Sequence, residues 1–127
     1  MPRMYRNKNK LVQTQTFNID NGAGTTVDEV LLNSGPRGVY IQRIYALYQE
    51  AAGTVAGANF KVGVAAGGAT VCAATAYTNS AAIGDVTEAT VLLDLIPPST
   101  SLWVRHTGIA ATATGTAKIM VEYSFAE

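Results

Sequence analysis

The 127-residue chain carries nine cationic and nine acidic side chains, so its formal net charge is zero, and charged residues are only 14% of it. That length suits one domain with a real core, burying roughly two-thirds of its unfolded surface. A single cysteine, Cys72, and a single histidine, His106, leave no intrachain disulfide, no zinc site of Cys and His, and little scope for triad chemistry.

The chain opens on a basic arm, residues 1–9. Arg3, Arg6 and Lys8, with Lys10 just beyond, put four of the nine cations ahead of the first acid, Asp20. Residues 11–127 keep five cations and nine acids, a net of −4. Such an arm binds nucleic acid, lies on an acidic protein surface, or stays solvated. Tyr5 is its one aromatic residue, so it lacks the stacking residues of a nucleic-acid site.

Residues 10–127 read as a single β-sandwich domain. Short runs of β-branched and aromatic residues recur between Gly, Pro, Asn and Ser punctuation, and helical periodicity is nearly absent. Eight strands are predicted. The first covers 10–19 and ends at Asp20-Asn21-Gly22. The second covers 25–32, before the loop Asn33-Ser34-Gly35-Pro36-Arg37-Gly38. The third covers 39–49, and its apolar parity slips near Gln42 and Arg43, as at a bulge. The fourth covers 59–65, and Gly67-Gly68 then turns the chain into the fifth, 70–77. The sixth covers 88–94 and stops before Pro97-Pro98, which cannot sit in a central ladder. The seventh is 101–107. The eighth is 116–125, where Ala117, Ile119, Val121, Tyr123 and Phe125 alternate with Lys118, Glu122 and Ser124.

Eight antiparallel strands make an all-β, jelly-roll-like sandwich with an extended N-terminal arm. An immunoglobulin-type sandwich is the competitor, but its Cys, Trp, Cys landmarks reduce here to Cys72 and Trp103. Two Ala/Gly/Thr-rich stretches, 51–58 and 109–117, read as long loops, either mobile or packed on a neighbouring subunit.

Chemistry-bearing residues are sparse. His106 shares a strand face with Leu102 and Val104 and reads as structural. Cys72, in Thr-Val-Cys-Ala-Ala, reads as a buried inert thiol. Asp20, Asn21, Asp28 and Glu29 match no calcium loop. The Gly-rich stretches precede no helix and lack the Lys-Ser or Lys-Thr of a phosphate cradle. No catalytic residue, metal or cofactor is expected, and no small-molecule substrate. The N-terminus lacks the apolar core of a signal peptide, and no apolar run nears the roughly 20 residues of a membrane span. Tyr40, Tyr45, Tyr48 and Trp103 close the sandwich core, meet another subunit, or form a sugar platform.

The motifs Arg-Gly-Val-Tyr-Ile-Gln-Arg-Ile-Tyr-Ala (37–46), Gly-Ala-Asn-Phe-Lys-Val-Gly-Val (57–64), Ile-Pro-Pro-Ser-Thr-Ser-Leu-Trp-Val-Arg (96–105) and Ala-Lys-Ile-Met-Val-Glu-Tyr (117–123) carry a resemblance over residues 10–125. The chain resembles the small jelly-roll decoration, or cement, proteins of tailed-bacteriophage heads. The resemblance implies a structural virion protein, made in the host cytoplasm and bound to the outside of the capsid. It implies a homotrimer, with the major capsid protein as partner, and neither membrane nor sequence-specific nucleic acid. Its motifs report strand chemistry, so no functional residue transfers. The expected capsid or subunit contacts are Arg3, Tyr5, Arg6, Lys8, Lys10, Tyr45, Tyr48 and Trp103. A receptor- or carbohydrate-binding domain of a tail fibre or spike is the alternative.

Overall fold

The computed structural model describes residues 10–19, 25–55, 57–108 and 115–126. Within them the chain is all β: β1 (Leu11–Asn18), β2 (Thr26–Asn33), β3 (Val39–Tyr48), β4 (Asn59–Gly63), β5 (Cys72–Ala76), β6 (Val86–Ala89), β7 (Leu95–Ile96), β8 (Ser101–Thr107) and β9 (Thr116–Phe125). The strand expected over 88–94 instead starts at Val86, stops at Ala89, and is followed by the two-residue β7. Between them the backbone leaves the sheet. Leu92 N–H donates to the Val71 carbonyl at 2.7 Å, and Asp94 returns its carbonyl to Ile41 N–H at 2.6 Å.

One sheet has the order β1-β9-β3-β6, with β7 also beside β3; the other has the order β2-β8-β4-β5. Four of the ladders belong to one long antiparallel ribbon. Leu11 pairs with Tyr123, Thr26 with Thr107, Ile44 with Ala89 and Asn59 with Ala76, and every pair is centred between positions 66 and 68. The ribbon therefore folds back at Gly67-Gly68. There the Gly68 N–H closes a turn on the Ala65 carbonyl at 2.9 Å, and Gly67 takes a φ of 76° that favours glycine. Winding the ribbon lays β3 on β9 and β4 on β8. This is the winding of a jelly roll.

Alternation fills the space between the sheets. Ala117, Ile119, Val121 and Tyr123 of β9 are buried against Leu102 and Val104 of β8 and Phe60 and Val62 of β4 in one continuous core. Each fully buried side chain of this size contributes about 1.5–3 kcal/mol. The parity slip in β3 is a register shift between Ile41 and Arg43, which buries both Ile41 and Ile44. At the end of β9 the alternation breaks. Phe125 is 47% exposed, while Ser124 is buried and accepts a hydrogen bond from Gln42 Nε2 at 3.3 Å.

From the stretch 51–58, Ala52, Val55 and Ala58 pack inward, buried in the core of their own chain. Backbone bonds from Ala52 N–H to the Ala81 carbonyl and from Ser80 N–H to the Gly53 carbonyl hold it, and Val55 N–H donates to Asn79 Oδ1 at 2.7 Å. Small side chains let these two loops cap one end of the sandwich closely. Residues 109–114 of the second small-residue stretch lie outside the described residues.

Candidate interaction surfaces

The interior end of the sandwich holds the one histidine. β8 directs His106 inward, where its ring stacks on Phe17 at 5.1 Å and its Nδ1 shares a 2.8 Å hydrogen bond with the Tyr77 hydroxyl. Tyr77 in turn meets Phe60 and Tyr48, at 5.5 and 6.4 Å between ring centroids. His106 Nε2 is buried without a hydrogen-bond partner among the described residues. Burial drives the His106 pKa down to about 4, only partly opposed by the Asn18 backbone, so the ring is neutral. Burial likewise raises the Tyr77 and Cys72 pKa values. These groups build the core. Among the described residues, no three His, Cys, Asp or Glu side chains gather as a metal-binding set.

The outer face of the five-stranded sheet carries a charged and aromatic grid. The pairing sets Arg43 beside Glu122, and Tyr45 between Met120 and Glu88. Glu122 accepts a 2.9 Å hydrogen bond from the Tyr45 hydroxyl and pairs with Lys10 Nζ at 3.3 Å and Arg43 at 3.6 Å. Arg43 also pairs with Glu88 and lies 4.0 Å over the Tyr45 ring centroid. Burial opposes ionisation of Glu122, but Tyr45, Lys10 and Arg43 together outweigh it and hold its pKa below the ordinary carboxylate range. Burial and the Glu122 contact raise the Tyr45 pKa. Lys10, Arg43, Glu88 and Glu122 are thus all paired with one another.

The outer face of the four-stranded sheet is simpler. Trp103 is half-buried between Val30 on β2 and Gly63 on β4. One row further, Arg105 makes two 2.7 Å bonds to the Asp28 carboxylate, a bidentate pair. The Arg105 hydrogen bond holds the Asp28 pKa below its usual value. The same guanidinium covers the ribbon's tip: a Cβ on Gly67 would lie 2.8 Å from Arg105 Cζ.

The third surface follows β6. Leu92, Leu93 and Leu95 are 60%, 38% and 45% exposed, with Ile83 and Val86 also exposed. Single exposed apolar residues are ordinary, but a run of them marks contact with a partner. Between the leucines sits Asp94, whose carboxylate has no ion pair among the described residues. Beside the strip, Ala73, Ala74, Thr75, Glu88, Thr90 and Leu92 line an open cleft of about 240 Å³.

The residues expected at contacts do not converge. Lys10 and Tyr45 meet through Glu122, but Tyr45 is only 8% exposed, so it offers little contact surface. Trp103 lies on the opposite outer face. Tyr48 is 1% exposed; its hydroxyl bonds the Thr87 hydroxyl and accepts from Thr78 N–H, so it offers no contact surface. Arg3, Tyr5, Arg6 and Lys8 lie outside the described residues, as do Asp20 and Asn21. The leucine strip is not among the expected contacts. Its signal is the run Leu92-Leu93-Asp94-Leu95 ahead of two prolines, which resembles a buried strand broken by one acid.

Among solved structures, the chain is similar to one in the capsid asymmetric unit of cyanophage Pam1, with a TM-score of 0.62 and 21% identity. The match covers 93% of this chain and 86% of that one, so the two are of comparable length. At that identity the likeness is one of fold. No protein-family model and no curated protein matches this chain.

Proposed function

We propose that this protein is a structural component of a phage virion, a decoration or cement protein that binds the outside of the head and braces its lattice. The observation that carries the reading is the likeness to a Pam1 capsid-unit chain along almost the whole fold. A jelly roll alone hosts many functions, so the exterior has to select among them. Here the charges at the centre of each outer face, Arg43 with Glu88 and Glu122 and Arg105 with Asp28, are tied to one another, and a run of leucines is left in solvent. An exterior of this kind suits docking on protein better than turnover of a small substrate. Many weak copies on a repeating lattice hold through avidity.

The test is cosedimentation of the purified chain with emptied heads of the phage that encodes it, prepared without it. Saturable binding at a fixed number of copies per shell, with raised thermal resistance of the shell, is the expected result. Absence from the head fraction at micromolar concentration removes the reading. A glycan-array signal in place of head binding favours the fibre or spike alternative.

A further inference from the structure

We infer that the strip Leu92-Leu93-Asp94-Leu95 receives the basic N-terminal residues 1–9 of a second copy of this chain, joining copies head to tail. Three observations meet here. The strip itself combines exposed leucines with a carboxylate that has no ion pair among the described residues. Its backbone is fixed at both ends, by Leu92 N–H on the Val71 carbonyl and by the pairing of Leu95 with Tyr40. A rigid apolar strip that already has its shape loses little entropy when covered. The matching chemistry is in the chain's own first residues, Met1-Pro2-Arg3-Met4-Tyr5-Arg6, which interleave cations with Met and Tyr. Arginine answers Asp94, and Met4 and Tyr5 answer the leucines.

The third observation is placement. Leu11 pairs with Tyr123, Tyr123 with Ile41, and Ile41 N–H bonds the Asp94 carbonyl, so these four residues form one row across the sheet. The arm precedes β1 at one edge of this row, and the strip occupies the other edge. Two different patches on opposite edges make a heterologous contact, which builds rings of copies when the rotation closes. The row spans three strand spacings, about 15 Å, and nine residues reach up to roughly 30 Å. The arm is therefore long enough to reach its own strip as well, and that intramolecular seat leaves the full chain monomeric, so the mass of the full chain tells the two apart. The inference stands apart from capsid binding, because its test contains no capsid.

Light scattering on three samples decides it. The full chain is expected at a multiple of 13.3 kDa, falling toward monomer as salt screens the arm. A chain lacking residues 1–9, and separately the double variant Leu93→Asp with Asp94→Lys, are each expected as monomers with unchanged circular dichroism. Mixed in equal amounts, these two variants are expected to pair, because one supplies the strip and the other the arm. If the double variant fails to fold, Asp94→Lys alone takes its place, with at least a tenfold weaker association expected. A monomeric full chain, a truncated chain that keeps the full mass, or a silent mixture each overturns the inference.

Discussion

The His106 end of the core and the Leu92–Leu95 strip use apolar and titratable side chains in opposite ways. At the core end, rings close around one histidine, and its charged form is excluded. In the strip, three leucines face solvent around an acid with no ion pair among the described residues. Residue type alone does not set the role. What separates the two regions is whether the strand pairing turns a side chain between the sheets or carries it past the edge. Substitutions in the first region should therefore change stability and leave association alone, while substitutions in the second should do the reverse.

The sharpest contrast uses one residue type in both places. Leu102 is fully buried between the sheets, so Leu102→Ala should cost about 2–5 kcal/mol, through lost transfer energy and a residual cavity. Leu92→Ala, at the most exposed leucine of the strip, should cost less than about 1 kcal/mol. Urea denaturation of both variants reads the difference in midpoint at constant slope. Equal losses would erase the distinction between core and strip.

Acidification reaches the core end next. His106 titrates near pH 4 in the fold and near 6.5 when unfolded. Above pH 6.5 both states are neutral and the group has no effect. As pH falls from 6.5 to 4 the unfolded chain takes up a proton that the folded chain refuses, so stability drops by about 3 kcal/mol across that window and then levels. Asp28 and Glu122 have lowered pKa values. Their contribution is present above the unfolded carboxylate range near pH 4 and fades only as pH falls through their folded values. The two effects thus separate along the pH axis. In His106→Gln the slope between pH 6.5 and 4 should flatten, whatever the variant's absolute stability. A wild-type slope retained in that variant assigns the acid sensitivity elsewhere.

Tyr77→Phe sits one step lower. It removes the hydroxyl that bonds His106 Nδ1 and leaves that buried nitrogen without its partner, at a cost of about 1–2 kcal/mol. The His106 tautomer should also become less defined, which nitrogen NMR of the ring reads directly.

How far the sequence foretells these regions follows from what local patterns encode. Ser101–Thr107 and Thr116–Phe125 match the expected strands because inward residues alternate along the first throughout and along the second as far as Tyr123. Gly67-Gly68 marks a turn, and the structure makes it the tip of the entire ribbon. No local signal says that Leu11 and Tyr123 sit equally far from that tip, since pairing over such a distance leaves no mark within either strand. The β6–β7 segment reads as one strand because its apolar run looks buried. Only the crossing bond from Leu92 to Val71 shows why its leucines leave the sheet. Ala52, Val55 and Ala58 are equally opaque, because small residues carry no periodic hydrophobic signature, yet they pack into one end of the core. Lys10 and Tyr45 stand out by their chemistry, but Glu122, which joins them, comes from a strand over seventy residues away.

The smallest effect belongs to neither region and tests the rule from outside. Arg105 and Asp28 form a bidentate pair on the outer face, with side chains 31% and 24% exposed. Water reaches both groups, so the pair competes with hydration and with salt, and Asp28→Asn should cost less than about 1 kcal/mol. The pair also has a geometric role. Because the guanidinium lies against the Gly67 turn, it ties β2 to the tip of the ribbon. A role of that kind shows in local opening rather than in the midpoint of global unfolding. Hydrogen exchange at Gly67 and Gly68 should therefore quicken in Asp28→Asn while exchange at Ile119 and Val121 holds. If exchange at all four amides quickens together, the outer face contributes to the core as a whole, and the division between a stabilising interior and an associating edge is too simple.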